Sequence, residues 1–278
     1  MSVALELIAA GIHVMIETPM STTVPEGLAV IAAARENGVK VLVGHHRRFN
    51  PHFLSAKQCV DSGSLGRIVA VQGSCCLQKP RSFFDGVGEY RRNRASGGGV
   101  ILANLINEVD ILQYLLGPIV AVSAFEASKT RGFEAEEGAA IILRFENGTV
   151  GTFVLSDSVP SPWAVGEGNW KKEDGVGGFC RIMGTRGSLS VPDLTRWSHD
   201  EADSGVHGVL KQEEVEVNKT ILVLHEQMKH FIGVVIGEQG LNCTGEEALR
   251  ATVVCEAVKQ AMDTGKQMEI IGFEVREA

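Results

Sequence analysis

The sequence predicts an α/β protein in two unequal parts: a small parallel sheet covered by helices, then an α+β part with a large, mostly antiparallel, open-faced sheet. Three observations predict it. Between residues 2 and 44 helical and strand-like segments alternate, and the strands are continuous apolar runs, as strands buried on both faces are. Between residues 68 and 191 long alternating strands follow one another across turn signals, the habit of antiparallel sheets. Between these regions Gly97-Gly-Gly99 opens an apolar helix carrying Asn104, Asn107 and Asp110 three residues apart, so that one narrow polar stripe runs along it.

In order, residues 2–11 read as a short helix stopped by Gly11, and His13–Glu17 as a buried strand ending in a turn at Thr18-Pro19. Residues 24–37 form an Ala-rich helix with Pro25 near its start and Gly38 after its end; Lys40–Gly44 is a second buried strand. After Asn50-Pro51 a helix over 52–62 ends at Gly63, and Ile68–Gln78 alternates as a strand. The glycine-led helix covers 97–116. Strands follow at 119–128, 138–146 and 149–156, with Glu146-Asn-Gly148 as a hairpin turn, then at 179–183 and Ser188–Val191 across Gly184-Thr-Arg-Gly187. Residues 157–178, rich in Gly, Trp and charge, read as a lid or loop, and helices close the chain near 221–236 and 245–264. This divides the chain into residues 1–51 and 52–278, the closing helices packing back on the first part.

The net charge of −8 argues against a nucleic-acid partner, since nothing offsets a phosphate backbone except the short Arg91-Arg92-Asn-Arg94 cluster. No apolar run is long enough for a membrane span, and the N-terminus has no signal-peptide pattern, so a cytoplasmic location is expected. Six cysteines without zinc spacing, in a chain too large to be a disulfide scaffold, fit reduced thiols and no metal site.

Taken in order, Ile16-Glu-Thr-Pro19, Gly44-His-His-Arg-Arg-Phe-Asn-Pro51, Gly63-x-x-Gly-Arg67, the Gly97–Asp110 helix and Gly184-Thr-Arg-Gly-Ser188 resemble the Gfo/Idh/MocA oxidoreductases through nearly the whole chain. The resemblance implies an N-terminal Rossmann domain, a C-terminal α/β domain, and NAD(P)-dependent redox chemistry on sugars and cyclitols. Three departures stand out. No Gly-x-Gly-x-x-Gly turn precedes a helix, so residues 1–51 correspond to a partial Rossmann domain entered midway. The family's Glu-Lys-Pro reads Glu17-Thr18-Pro19, which keeps a hydroxyl but brings no charge. The family's Asp and His, four residues apart, fall on Ala103 and Asn107, and an amide is no proton shuttle.

The expectation drawn from these losses is a repurposed fold that needs no cofactor and performs non-redox chemistry such as isomerisation, elimination or cyclisation. The alternatives are an NAD(P)-dependent oxidoreductase of sugar- or cyclitol-like substrates with a shortened nucleotide domain, and a non-catalytic ligand binder. The catalytic candidates are Asn107, Lys79 and His46; the substrate-binding candidates are Asn104, Tyr90, Arg91, Asp157 and Trp163. Lys79 and Arg91 read equally well as solvated charges, Asp157 and Trp163 as a turn residue and a packing anchor, and one of His45 and His46 as a cap on a carbonyl. Glu17 is a further strand-end candidate, although Glu-x-Pro also sets a turn. His225 and His230 read as structural. The expected partner is a small organic molecule, with a homodimer or higher oligomer formed through the open sheet face.

Overall fold

The computed structural model describes residues 2–161, 180–199, 208–217 and 222–278. Helix α1 (Ser2–Ala9) leads into β1 (Val14–Ile16), α2 (Val24–Glu36) and β2 (Val41–Val43), and β1 pairs with β2 in parallel, Val14 opposite Val41. Pro25 sits in the first turn of α2, where its missing N–H costs nothing. A 3-10 turn, His46–Phe49, then delivers the chain to α3 (Pro51–Asp61), whose start is capped by the Asn50 side chain on His52 N–H.

The large sheet follows. Its strands are β3 (Ile68–Cys76), β4 (Ile119–Glu126), β5 (Gly138–Phe145), β6 (Val150–Ser156), β7 (Cys180–Gly184), β8 (Ser188–Val191), β9 (Thr195–His199), β10 (Leu210–Glu214), β11 (Met268–Ile271) and β12 (Glu274–Glu277). The order across the sheet is β10-β9-β8-β7-β3-β6-β5-β4-β11-β12. Every pairing is antiparallel except β3 with β6, which are parallel, Cys76 lying opposite Ser156. The sequence reading missed this exception, along with β9 to β12. The chain between β3 and β6 contains a helix, α4 (Ile106–Leu116), and such a crossover is what parallel neighbours require. The consequence for the site is direct: the carboxyl ends of β3 and β6 lie side by side.

Along β5 burial alternates strictly, with Ala139, Ile141, Leu143 and Phe145 inward. The inward face packs on α4 and on α6 (Gly245–Thr264). The other face exposes Phe125, Ile142, Val150 and Val154. Helix α6 knits two cores together: Ala248, Leu249 and Val253 pack with β1, β2 and α2, while Ala251, Val254, Ala257 and Val258 pack under the large sheet. Thr244 and Glu247 form a reciprocal capping box at its start. Helix α5 (Val223–Val235) packs on the His46–Phe49 turn.

The glycine-led helix differs from its sequence reading. Residues Ile101–Leu105 form a π-helical turn, with Ile106 N–H reaching Ile101 O, and only Ile106–Leu116 is regular α-helix. Residues 162–179, which include Trp163 and most of the expected lid, lie outside the described residues.

Candidate functional site

Helix α4 is not lined by one polar stripe but by two sets of polar groups at different depths. Glu108 and Asp110 are buried, at 0% and 2% exposure. Arg48 grips Asp110 through Nε and Nη2 (3.0 and 2.7 Å), and Arg47 bonds Glu108 at 2.5 Å. Both arginines come from the turn after β2, so this network bolts the first sheet to α4. Asp110, expected on the same stripe as the two amides, belongs to it. Removing a partner from such a pair is costly, because the remaining charge stays buried.

His45 joins the same network: it is buried, its Nδ1 lies 3.5 Å from Asp110 Oδ2, and burial lowers its pKa to about 4 against the pull of Asp110. His46, the catalytic candidate beside it, begins the 3-10 turn and is half-buried. His45, Asp110 and Cys243 bring ligand atoms within 4.8 Å of one another. The Arg48 guanidinium already occupies Asp110, and burial pushes the Cys243 thiol up, so a cation there would meet a positive charge and a protonated sulfur.

One turn away, Asn104 and Asn107 are only partly buried and face the carboxyl ends of three strands. After β1, Thr18 Oγ1 donates to Asn107 Oδ1 at 3.2 Å. After β3, Lys79 Nζ donates to Asn104 Oδ1 at 2.6 Å. After β6, Asp157 lies 3.7 Å from Lys79 Nζ; just past the parallel pairing, Gln78 and Ser158 form an isolated antiparallel bridge in which Lys79 N–H bonds Asp157 O at 2.9 Å. Arg131, from the loop before β5, bonds Asp157 Oδ1 and packs 4.3 Å over the Phe84 ring. Burial pushes the Lys79 ammonium below its ordinary value and the Asp157 carboxyl above its own, each opposed by the other. Both groups are therefore moved toward exchanging a proton.

The 3-10 segment Gly86–Arg92 carries Tyr90 and Arg91, with Tyr90 half exposed and Arg91 partly buried. Arg91 stacks 4.5 Å from the Phe83 centroid and 4.7 Å from that of Tyr90. Lys79 lies on the same Phe83 ring at 5.0 Å. The structure thus gathers Lys79, Asn104, Asn107, Asp157, Tyr90 and Arg91. It adds Thr18 and Arg131, which the sequence did not mark as site residues. Arg131 is distant in the chain and has no spacing signal; Thr18 was legible only as a departure from Glu-Lys-Pro. A separate cavity of about 920 Å³, lined by Arg181, Arg186, Arg196 and Trp197, lies at the other end of β3. It contains none of the residues gathered around Lys79.

The ends of β1 and β2 carry groups that bear on a nicotinamide cofactor. Gln227 Nε2 from α5 is buried without a hydrogen-bond partner, and a Cβ on Gly44 would meet it at 3.4 Å and Glu17 Oε2 at 3.1 Å. An orphaned amide donor, a carboxylate and the Thr18 hydroxyl at parallel strand ends fit the ribose and carboxamide of a nicotinamide. Among the described residues no glycine-rich turn between strand and helix offers amides to a diphosphate, so the fit covers that end alone.

Comparison with known proteins gives two matches in order along the chain. Residues 1–45 match the oxidoreductase-family NAD-binding Rossmann fold, and residues 53–190 the GFO/IDH/MocA C-terminal domain. The uncharacterized oxidoreductase YrbE of Bacillus subtilis is 24% identical over 93% of this chain and 71% of its own length. The scyllo-inositol 2-dehydrogenase (NAD(+)) of the same organism is 27% identical over 66% of this chain and 49% of its own. The WlbA dehydrogenase of Bordetella pertussis, solved with NADH and UDP-GlcNAcA, superposes with a TM-score of 0.73 at 22% identity, over 97% of this chain and 75% of that one. Aldose-aldose oxidoreductase from Caulobacter crescentus gives 0.75 at 23% identity over the same shares. The curated relatives overturn the expectation of a cofactor-independent isomerase, lyase or cyclase: they are oxidoreductases, dehydrogenases and a reductase among them, and one is named for NAD(+). The expectation of no cofactor is corrected with it. Its premise was the absence of the glycine-rich turn, of a lysine at position 18 and of a histidine at position 107; Lys79, a candidate from the outset, brings an ammonium from the end of β3 to the same helix. With both halves matched in sequence order, the chain belongs to the Gfo/Idh/MocA oxidoreductase family.

Proposed function

We propose that the protein is an NAD(P)-dependent oxidoreductase of sugar- or cyclitol-like polyols in which Lys79 handles the proton. The observation that carries this reading is the buried Lys79 Nζ, 2.6 Å from Asn104 Oδ1 and 3.7 Å from Asp157, beside the Thr18–Asn107 pair. When bound, the nicotinamide supplies hydride acceptance or donation at a carbinol carbon. The residues of this chain do the rest. Lys79, its proton affinity lowered by burial, takes the hydroxyl proton during oxidation and returns it during reduction. Asn104 fixes the Lys79 amine. Asn107 accepts from Thr18 through Oδ1, which leaves its Nδ2 to donate to a substrate oxygen. Arg131 holds the Asp157 carboxylate in place.

Calorimetric titration with NAD(H) and NADP(H), followed by turnover on a panel of polyols, tests the reading. Micromolar binding is expected, with turnover falling about a hundredfold or more in Lys79→Gln. Absence of binding at millimolar cofactor would sink the proposal.

We further propose that two copies associate through the open sheet face, where Phe125, Ile142, Val150 and Val154 expose apolar surface. Light scattering should give a dimeric mass, and Ile142→Asp a monomeric one. A wild-type monomer at micromolar concentration would refute this.

A further inference from the structure

Phe83, Phe84 and Phe133 form a continuous aromatic cluster beside the polyol site, with ring centroids 5.3 and 5.2 Å apart. Five cations sit on these three rings. Lys79 and Arg91 lie on Phe83, Arg131 on Phe84, and Arg81 and Arg92 on Phe133. Three of the five have acidic partners: Lys79 has Asp157, Arg131 has Asp157 and Glu137, and Arg92 has Asp85 and Glu89. Among the described residues Arg81 and Arg91 have none. A local surplus of positive charge in a chain of net charge −8 runs against its general balance.

Arg91 is also held for use. Its backbone carbonyl accepts from Gly99 N–H at 3.3 Å, which ties it to the glycines opening the Asn104–Asn107 helix. Phe83 and Tyr90 hold the guanidinium against their rings, among the described residues its N–H groups have no hydrogen-bond acceptor, and the planar fork they form matches the two oxygens of a carboxylate. A second donor points the same way: Arg131 Nη1 is buried without a hydrogen-bond partner, although Nη2 holds Asp157. A buried, unpartnered guanidinium nitrogen is costly unless a ligand satisfies it.

We infer that the substrate is an acidic polyol, a sugar or cyclitol bearing a carboxylate, and that Arg91, assisted by Arg131, receives that carboxylate. The inference rests on the reading of this cluster as the polyol site. The substrate hydroxyl is then oriented from two ends, by Lys79 at the reacting carbon and by Arg91 at the acid, and neutral sugars are discriminated against by the unsatisfied charge they leave.

The test is calorimetric titration of the wild type and of Arg91→Met, both saturated with the nicotinamide nucleotide that binds, using D-glucuronate, D-galacturonate, D-glucose and D-glucose 6-phosphate. At least one uronate is expected to bind about tenfold or more tighter than glucose. Arg91→Met should abolish that preference, so that uronate and glucose bind within about twofold of each other, with no change in melting temperature. Arg91→Lys, which keeps the charge without the fork, should restore only part of it. Glucose binding as tightly as both uronates would overturn the inference and leave the polyol reading standing. Tighter binding of the phosphate ester than of either uronate would also overturn it, in favour of a phosphate site. If no sugar binds to the nucleotide-saturated protein, the inference and the polyol reading fall together, and binding of neither nucleotide removes the oxidoreductase reading itself.

Discussion

Replacing His45 by Gln should make the protein less sensitive to mild acid. His45 is 3% exposed, and its imidazole titrates at about 4, held down first by burial and then by Arg48, with Asp110 pulling the other way. In the unfolded chain the same side chain titrates near its ordinary value of 6.5. Between those values the unfolded chain binds a proton that the folded chain refuses. Stability therefore falls as pH drops through 6.5, and this contribution stops falling near 4. The full interval is worth about 3 kcal/mol, and about 2 kcal/mol of it is reached at pH 5. Urea denaturation of wild type and His45→Gln at pH 7.5 and pH 5.0 measures it, because carboxylates that titrate alike in both proteins cancel in the comparison. The wild type should lose about 2 kcal/mol more than the variant on going to pH 5. Equal losses, within about 0.5 kcal/mol, would refute the account of a neutral, desolvated imidazole.

Three other outcomes follow from the same structure. Arg48→Met strands the buried Asp110 carboxylate and frees the Asn242 carbonyl; a cost of about 3–5 kcal/mol is expected, seen as a melting temperature lower by roughly 10 °C. Asn107→Ala removes the acceptor for Thr18 at a partly exposed position, so folding should change by less than about 1 kcal/mol while substrate affinity, read by calorimetry, falls roughly tenfold. Gly99→Ala asks a φ of +98° of a residue with a Cβ and drives that atom to 2.2 Å from Glu136 Oε1; a loss of about 2 kcal/mol or more is expected in denaturant titrations.

What the sequence revealed and what it hid divide along physical lines. Local periodicity exposed the strand at Val14–Ile16, of which only Val14 is buried, the fully buried strand at Val41–Val43, the alternation of β5, and the amides Asn104 and Asn107, because each of these is written within a few consecutive residues. Lys79 and Asp157 were visible as individual candidates, but their contact was not. It depends on β3 and β6 running parallel across a helical crossover, a pairing that no turn signal announces. Arg131 reaches the site from a loop whose sequence has no pattern at all. Asp110 was misassigned to the amide stripe because spacing alone does not tell depth: only Arg48, 62 residues away, decides that it faces the interior. The same lesson governs the chemistry. Position 18 has no lysine, and the ammonium that reaches the helix comes from a different strand end, at Lys79.

The π-helical turn at Ile101–Leu105 carries Asn104, while Asn107 belongs to the regular helix that follows. An α-helix advances about 100° per residue, so one residue gained or lost in that turn would swing the Asn104 amide about a quarter of the way around the axis. Ile106 onward, with Asn107 and the ion pairs at Glu108 and Asp110, would keep its bearings, because those pairs anchor it from below. The distance and angle between the Asn104 and Asn107 amides can thus be reset by a single-codon insertion or deletion, a step that leaves the ion-paired part of the helix where it was. Substrate choice in a chain built this way is free to drift by changes of length as well as of residue.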